Sequence, residues 1–251
     1  MNTEALKDLL YILADDDLII GHRDSEWTGL GPVLEEDIAF SSMAQDQVGH
    51  ALSYYSLIHT LGENVPDIIA FTRNASEFRS CQLTEQPNGD YAFSLIRHLL
   101  YDTAKYVRLQ ALVHSSWHPL AELAERIMKE HKYHLMHAKT WVVQLGNGTE
   151  ESRLRLQSAT NEAFPMAFGL FETTEYSDIL AEEDICPTEN DLVARWLDVL
   201  HPILDQAKLH VPANPDFSVY MGGRKGYHSE HLQPLLDEMT VVFRTDPQAV
   251  W

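Results

Sequence analysis

The sequence has few cysteines and no long apolar run. Its two cysteines, Cys81 and Cys186, are too few for a disulfide framework and too distant in sequence for a thiolate metal site, so we expect both to be reduced. No apolar run reaches the roughly 18 residues that a membrane span needs. The first residues, MNTEALKDLL, lack the charge and cleavage pattern of a secretory signal. These absences predict a cytoplasmic protein with no membrane partner.

Positive charge is also scarce, because 18 Lys and Arg residues stand against 38 Asp and Glu residues, for a formal net charge of -20. A surface of this sign repels nucleic acid and anionic membranes, whereas it suits solubility or a basic partner protein. The sequence contains no P-loop, dinucleotide-binding fingerprint or nucleophile elbow. The composition therefore argues against nucleic-acid binding, and the missing motifs argue against those three enzyme classes.

Strand-type alternation is absent, and apolar residues recur at helical spacing, which predicts an all-α fold. A chain of 251 residues with 45% hydrophobic content can bury one large core, so we expect a single domain over residues 1–251. The expected bundle core is residues 3–146, with helices near 3–24, 32–61, 91–114 and 120–145. Residues 62–89 are predicted to be a long loop. Additional C-terminal helices are expected over about 151–245, with two or three of them near 151–183 and 188–209 and a last one in the tail.

Two of the predicted bundle helices carry a pair of polar residues three positions apart. Gln47 and His50 share one face of the second helix, and His131 and His134 share one face of the fourth. This is the spacing of the Glu-x-x-His ligand pairs in ferritin-like carboxylate bundles. Gln47 and His131 stand where those bundles have glutamates.

The other two bundle helices carry aspartates. Counting from the short connection between the third and fourth helices places Asp102 level with His131. In the first helix, at least one of the consecutive residues Asp15–Asp17 should face the interior, because successive helical positions point about 100° apart. The same count places Asp17 nearer the connection between the first two helices than Gln47, but the longer turn of this hairpin leaves its register open.

These residues favour a buried hydrogen-bond network over a metal centre. A di-iron site needs several anionic oxygens, and two glutamate positions without charge leave at most two carboxylates for two metal ions. One divalent ion is the alternative, since imidazole and carboxylate suit zinc, iron or nickel. The candidate ligands of such a site are Asp17, Gln47, His50, Asp102, His131 and His134. We expect Asp46 and Glu130 to be solvated neighbours and His137 to be a residue of the helix surface or of its C-terminal turn. We expect Tyr54, Tyr55, Tyr101 and Tyr133 to be core residues rather than cavity-lining ones.

A small basic group follows two glycines near the C-terminus. Arg224 and Lys225 come directly after Gly222 and Gly223 in an otherwise acidic chain. They could receive a phosphate or a partner's carboxylate, with the glycines allowing backbone N–H groups to approach. An ordinary turn before a helix explains the pattern equally well.

Five segments, in order along nearly the whole chain, resemble a known family. They are HRDSEWTG, LEEDIAFSSMAQDQVGHA, FTRNASEFRSCQLTEQPNGDYAF, KEHKYHLMHAKTWVVQLGNGT and GGRKGYHSEHLQPLLDEM. The chain resembles the C-type subunits of the bacterial multicomponent phenylacetyl-CoA oxygenase, which forms a ring epoxide in aerobic phenylacetate breakdown. The resemblance implies a ferritin-like bundle that pairs with a homologous A-type subunit holding the di-iron centre and the CoA thioester. It also implies a reductase with flavin and an iron-sulfur cluster, together with a small B-type subunit.

In that family the catalytic subunit keeps both Glu-x-x-His pairs and the C-type subunit has lost ligands. Gln47 and His131 place this chain with the C-type subunits, so the leading hypothesis is a non-catalytic structural subunit with no cofactor and no catalytic residue. The alternative is an iron site that activates dioxygen, because His50, Asp102 and His134 remain. A third hypothesis is a binding module for CoA that uses Arg224 and Lys225. When isolated, the chain could form a homodimer.

Overall fold

The computed structural model describes residues 1–213 and 215–246, and all regular secondary structure in this part of the chain is helical. The predicted all-α class is therefore confirmed. The helices are α1 (Thr3–Ser25), α2 (Leu34–Thr60), α3 (Pro66–Thr72), α4 (Gln82–Glu85), α5 (Tyr91–Leu112), α6 (His118–Gly146), α7 (Glu150–Ala167), α8 (Ser177–Glu182), α9 (Glu189–Gln206) and α10 (Leu232–Thr245). The last residues of the expected domain, 247–251, and position 214 in the proline-rich passage lie outside the described residues.

Helices α1, α2, α5 and α6 form the predicted ferritin-like bundle. They associate as two hairpins, α1 with α2 and α5 with α6, and α2 also contacts α6. Helices α7 and α9 pack on α5, so α5 is buried on most sides. One hydrophobic cluster runs from Ala5 to Leu236 through all these helices. Among the described residues, no helix combines the length and the apolar character needed to cross a membrane.

Side-chain caps fix where several of these helices begin. Asn2 precedes α1 and accepts hydrogen bonds from the backbone N–H groups of the first turn. Asp90, Thr149 and Thr188 cap α5, α7 and α9 in the same way. Each such cap is typically worth about 1 kcal/mol, because it satisfies a backbone donor that has no partner inside the helix.

The predicted loop over residues 62–89 is wrong, because this segment contains α3, a 3-10 turn (Ala75–Glu77) and α4. Pro66 starts α3, and Ile69 and Leu83 are buried against the bundle. The helices are too short to show a full apolar period, which is why the sequence pattern hid them. The segment is part of the packed structure and not a free surface loop.

Three helices, α7, α8 and α9, cover the regions near 151–183 and 188–209, within the two or three that were expected. Helix α7 ends at Ala167 and continues as a 3-10 turn (Phe168–Phe171), and α8 begins only at Ser177. Pro165 lies in the last turn of α7, where its missing N–H weakens helix continuation.

The register of the first hairpin differs from the count made along the sequence. Gly21 lies against Gln47, since a Cβ at Gly21 would come within 3.2 Å of the Gln47 Cβ. Asp17 therefore lies about one turn farther from the connection than Gln47, not nearer to it. The reason is that the connection runs back along α2, where the Thr28 and Ser41 hydroxyls are 2.8 Å apart.

Candidate functional site

A lysine that the sequence analysis missed lies at the centre of the bundle. Lys105, on α5, reaches between α1 and α2, where its ammonium donates a hydrogen bond to Asp17 Oδ1 and lies 3.1 Å from His50 Nδ1. The Tyr101 hydroxyl also donates to Asp17 Oδ1, at 2.7 Å. Lys105 and Asp17 are both buried. Two of the predicted metal ligands are thus bound to an ammonium group.

The protonation of this part of the site follows from burial. Burial raises the pKa of Asp17, and the Lys105 charge opposes that shift. Burial and then the Lys105 charge lower the pKa of His50 far below its usual range, so His50 is neutral. Its Nε2 donates to Glu130 Oε2 at 2.8 Å, which leaves Nδ1 as the acceptor for Lys105. Glu130, expected to be only a solvated neighbour, orients His50.

Three other predicted ligands form a separate group, which we call the open triad: Asp102, His131 and His134. All three are buried, and one ligand atom from each lies within 4.8 Å of the others. His131 Nδ1 is 3.9 Å from Asp102 Oδ1, so the predicted level of these two residues is confirmed. Asp102 Oδ1 and the Nδ1 atoms of both histidines have no hydrogen-bond partner among the described residues.

The outer nitrogens of both triad histidines are held by acceptors. His131 Nε2 donates to the Asp102 backbone carbonyl at 2.8 Å, and His134 Nε2 lies 3.0 Å from Asp46 Oδ2. With the proton on Nε2, each Nδ1 carries a lone pair. Burial also lowers the pKa of His131 to about 3, which keeps its ring neutral. Asp46 is a solvated neighbour, as expected, with its side chain 43% exposed, and its carboxylate also holds the His134 ring.

The second oxygen of Asp102 is held by a charged histidine. His98 Nδ1 lies 3.4 Å from Asp102 Oδ2, and His98 Nε2 lies 2.8 Å from Asp24 Oδ1. Burial lowers the pKa of His98, but the two carboxylates outweigh it and raise that pKa to about 9. Burial likewise opposes ionisation of Asp102, but His98 outweighs it and lowers the Asp102 pKa to about 2. Asp102 is therefore an anion whose Oδ1 remains unpaired.

The sixth predicted residue, Gln47, stands apart from both groups. Its side chain is fully buried, and neither its Oε1 nor its Nε2 has a hydrogen-bond partner among the described residues. The six predicted residues thus divide into two bound by Lys105, three in the open triad, and this glutamine.

The space beside Lys105 is small. Tyr54 and Tyr101 line a cavity of about 30 Å³ there, the size of a water molecule rather than of a substrate. Tyr55 is buried and donates a hydrogen bond to Asp15. Tyr133, expected to be a core residue, is 57% exposed.

His137 does not lie free on the surface of α6. It is half-buried, and its Nε2 lies 2.9 Å from Glu36 Oε2, which also accepts a hydrogen bond from the Tyr91 hydroxyl at 2.6 Å. This network lies outside the open triad.

All three consecutive aspartates of α1 are buried, and each ties α1 to a different segment. Asp15 accepts hydrogen bonds from the Arg73 guanidinium at 2.6 and 3.0 Å. Asp16 pairs with Arg224 at 2.9 and 2.7 Å, and Asp17 binds α5 as described above. The prediction that at least one of them faces inward is confirmed, although only Asp17 points to the bundle centre.

The basic group near the C-terminus is mostly internal. Arg224 is buried by its pair with Asp16, so it cannot meet a phosphate or a partner, and that expectation is wrong. The backbone N–H of Gly222 donates to Glu172 Oε2 at 2.7 Å, so a carboxylate of the chain itself already uses this donor. Only Lys225 is exposed, with its Nζ 3.5 Å from Glu172 Oε1.

Comparisons with known proteins agree over most of the chain. Residues 1–251 match the family model described as phenylacetic acid catabolic protein, PaaA_PaaC. The chain is 34% identical over 240 residues to the C-type subunit of the 1,2-phenylacetyl-CoA epoxidase of Escherichia coli (strain K12), covering 95% of this chain and 96% of that protein. It is 24% identical over 198 residues to the A-type subunit of the same epoxidase in that organism, covering 77% of this chain and 63% of the relative.

Proposed function

The chain belongs to the phenylacetic acid catabolic protein family, and from this membership we propose that it is the structural, non-catalytic C-type subunit of a phenylacetyl-CoA epoxidase. In this role it pairs with and stabilises the homologous A-type subunit, which holds the di-iron centre. The assembly also contains a small B-type subunit, while a reductase with flavin and an iron-sulfur cluster supplies electrons to the A-type chain. The pathway served is aerobic phenylacetate breakdown.

The observation that carries the non-catalytic role is the position of Lys105. A metal ion bound to Asp17 and His50 would have to displace its ammonium, which already contacts both side chains. Gln47 adds no negative charge to compensate two oxidised irons. The adjoining cavity is also about ten times smaller than a typical ligand pocket, which starts at about 300 Å³. A di-iron centre that oxidises phenylacetyl-CoA does not fit here.

The outer face of α2 supplies a surface for the A-type subunit. Leu34, Ile38, Val48 and Leu52 are all exposed there. With the polar residues Ser41 and Gln45 between them, they occupy positions that alternate steps of four and three residues. Side chains at this spacing share one face, and the spacing is that of a helix-packing seam. An apolar stripe on a chain with net charge -20 suits a helix of a second, related bundle. We therefore place the A-type subunit on this stripe.

The test is coexpression with the A-type subunit, with the affinity tag on the A-type chain. We expect the two chains to copurify, and we expect the isolated chain to give no epoxidation when reductase and phenylacetyl-CoA are added. Turnover by the isolated chain, or no association with the A-type subunit, would overturn the proposal.

A matched pair of variants tests the stripe. Ile38→Glu should weaken the complex with the A-type chain at least about tenfold, because a charge is buried in an apolar contact. Leu154→Glu, at a 54% exposed position on α7, should leave association unchanged. If Ile38→Glu dissociates only a homodimer and leaves the A-type complex intact, the stripe has another occupant and the placement is wrong.

A further inference from the structure

We propose that this chain binds one divalent transition-metal ion through Asp102 Oδ1, His131 Nδ1 and His134 Nδ1. The role of this ion is to hold α5 and α6 together. The proposal does not depend on the proposed function, since a protein with no catalytic role of its own can still hold a structural ion.

Three buried ligand atoms that lack a partner converge at the open triad. Buried polar atoms in folded proteins are almost always hydrogen-bonded, so three neighbouring residues that each keep one unpaired buried atom, and that each offer a ligand atom within 4.8 Å of the others, need an explanation. The 3.9 Å between His131 Nδ1 and Asp102 Oδ1 is too long for a hydrogen bond. It is close to the roughly 3.4 Å that separates two donors around a tetrahedral metal ion at about 2.1 Å from each.

In each of the three ligands, the atom that would not bind the metal is held by a neighbouring polar group. Metal-binding histidines almost always donate their other N–H to a carbonyl or carboxylate. His131 donates to the Asp102 carbonyl, and His134 faces the Asp46 carboxylate. His98 holds the opposite oxygen of Asp102. A metal-free network would instead turn the triad atoms toward one another.

The charges around the triad set the number and kind of ion. Lys105 occupies the place between Asp17 and His50, so only the open triad remains available. One dication is partly neutralised by the Asp102 carboxylate, whereas a second would have no anion of its own. Two imidazoles and one carboxylate suit Zn²⁺, Fe²⁺ or Co²⁺ rather than Mg²⁺ or Ca²⁺, which prefer oxygen ligands.

The test is metal binding by the isolated full-length chain. The purified protein is stripped with a chelator and titrated with Co²⁺, whose visible absorption reports nitrogen ligands, and Zn²⁺ retained after dialysis is counted by mass spectrometry. We expect about one ion per chain, in line with the tight binding of preformed histidine sites. Zn²⁺ should also raise the unfolding temperature.

Two variants and one control assign the site. His131→Gln and His134→Gln should each abolish the Co²⁺ spectrum, and His137→Gln, on the same helix but outside the triad, should leave it intact. Circular dichroism shows whether each variant is folded. If His131→Gln does not fold, the Co²⁺ spectrum of His134→Gln alone tests the site. Less than about a tenth of an ion per chain, two ions per chain, or full binding by a folded His134→Gln variant would each overturn the proposal. Because no partner is present, these results are independent of complex formation with the A-type subunit.

Discussion

Replacing Lys105 with methionine tests the central ion pair. Methionine fills a similar volume without charge, so Asp17, which is 1% exposed, would keep only the Tyr101 hydroxyl as a polar partner. Removing one member of a buried ion pair typically costs about 3 to 5 kcal/mol. Protonation of Asp17 limits the loss, because a neutral carboxyl leaves no unpaired charge buried in the bundle. We therefore expect a loss of about 3 to 4 kcal/mol in unfolding free energy.

The pH dependence follows from the same reasoning. In Lys105→Met the Lys105 charge no longer opposes burial, so the folded-state pKa of Asp17 is higher than in the wild type. The contribution of Asp17 to the unfolding free energy is then fully present only below its unfolded-state pKa, and it falls as pH rises. The deficit relative to wild type should therefore shrink between pH 7 and pH 5. Urea unfolding at both pH values measures it.

Two further variants decide whether the charge is responsible. Asp17→Asn combined with Lys105→Met should recover most of the lost stability, because no unpaired charge remains. Lys129→Met removes an exposed lysine whose partner Glu125 is also exposed, and it should change stability by less than about 0.5 kcal/mol. A Lys105→Met deficit below about 1 kcal/mol, or one that is equal at pH 5 and pH 7, would refute the reasoning.

Three other outcomes are expected from burial. Gly223→Ala should lower the unfolding free energy by about 1 to 3 kcal/mol, because its Cβ would overlap the Ser80 carbonyl oxygen. Gly49→Ala has open space around it in α2, so in the same urea assay it should raise the unfolding free energy by up to about 1 kcal/mol. An aromatic disulfide reagent should label neither cysteine at pH 8 until the protein unfolds, since burial raises the pKa of Cys186 to about 11 and that of Cys81 still further. Because both folded-state values lie above the ordinary thiol pKa, the cysteines' contribution to stability should disappear as pH rises above about 8.5, and Cys186→Ala should reduce that loss. Rapid labelling of the native protein would contradict both thiol predictions.

Long helices with clear apolar spacing were predictable from the sequence, and short or irregular elements were not. The four bundle helices each run for more than twenty residues, so their period is unmistakable. Helices α3 and α4 have seven and four residues, which is about one or two turns. Helix α3 packs on α2 and α10, and α4 packs on α1, and a local pattern does not contain these contacts. The hydrogen bond from the Cys81 N–H to Asp16, at 2.7 Å, is one such contact.

The register error has a related cause. A count along the sequence treats every residue between two helices as part of a turn at their end. Here Thr28 lies beside Ser41, so part of the connection travels along α2 instead of closing the hairpin. Asp102 and His131 were placed correctly because the turn between α5 and α6 spans only five residues.

The positions of the six polar residues were predictable, but the lysine that contacts two of them was not. Family spacing identifies six residues that line the bundle centre, and the structure brings five of them into two groups. Lys105 was not predicted as a central residue, because a lysine is not a metal ligand and because its long side chain can reach solvent from many helix positions. A usable signal was nonetheless present, since Lys105 lies three residues after Asp102 on a helix whose other interior residues are mostly apolar.

Ligand loss in a four-helix bundle leaves a charge that the remaining residues must balance. When a metal ion is lost, the remaining carboxylates become unpaired buried charges, and each must be neutralised, removed or exposed. In this chain Gln47 carries no charge, and Lys105 neutralises Asp17. Asp102 is paired on one side only, by His98, and its other oxygen, which has no hydrogen-bond partner among the described residues, lies beside the imidazoles of His131 and His134. The unbalanced anion on α5 is thus the place where a cation is still required, which is why we expect the remaining metal capacity at the open triad and not at Asp17.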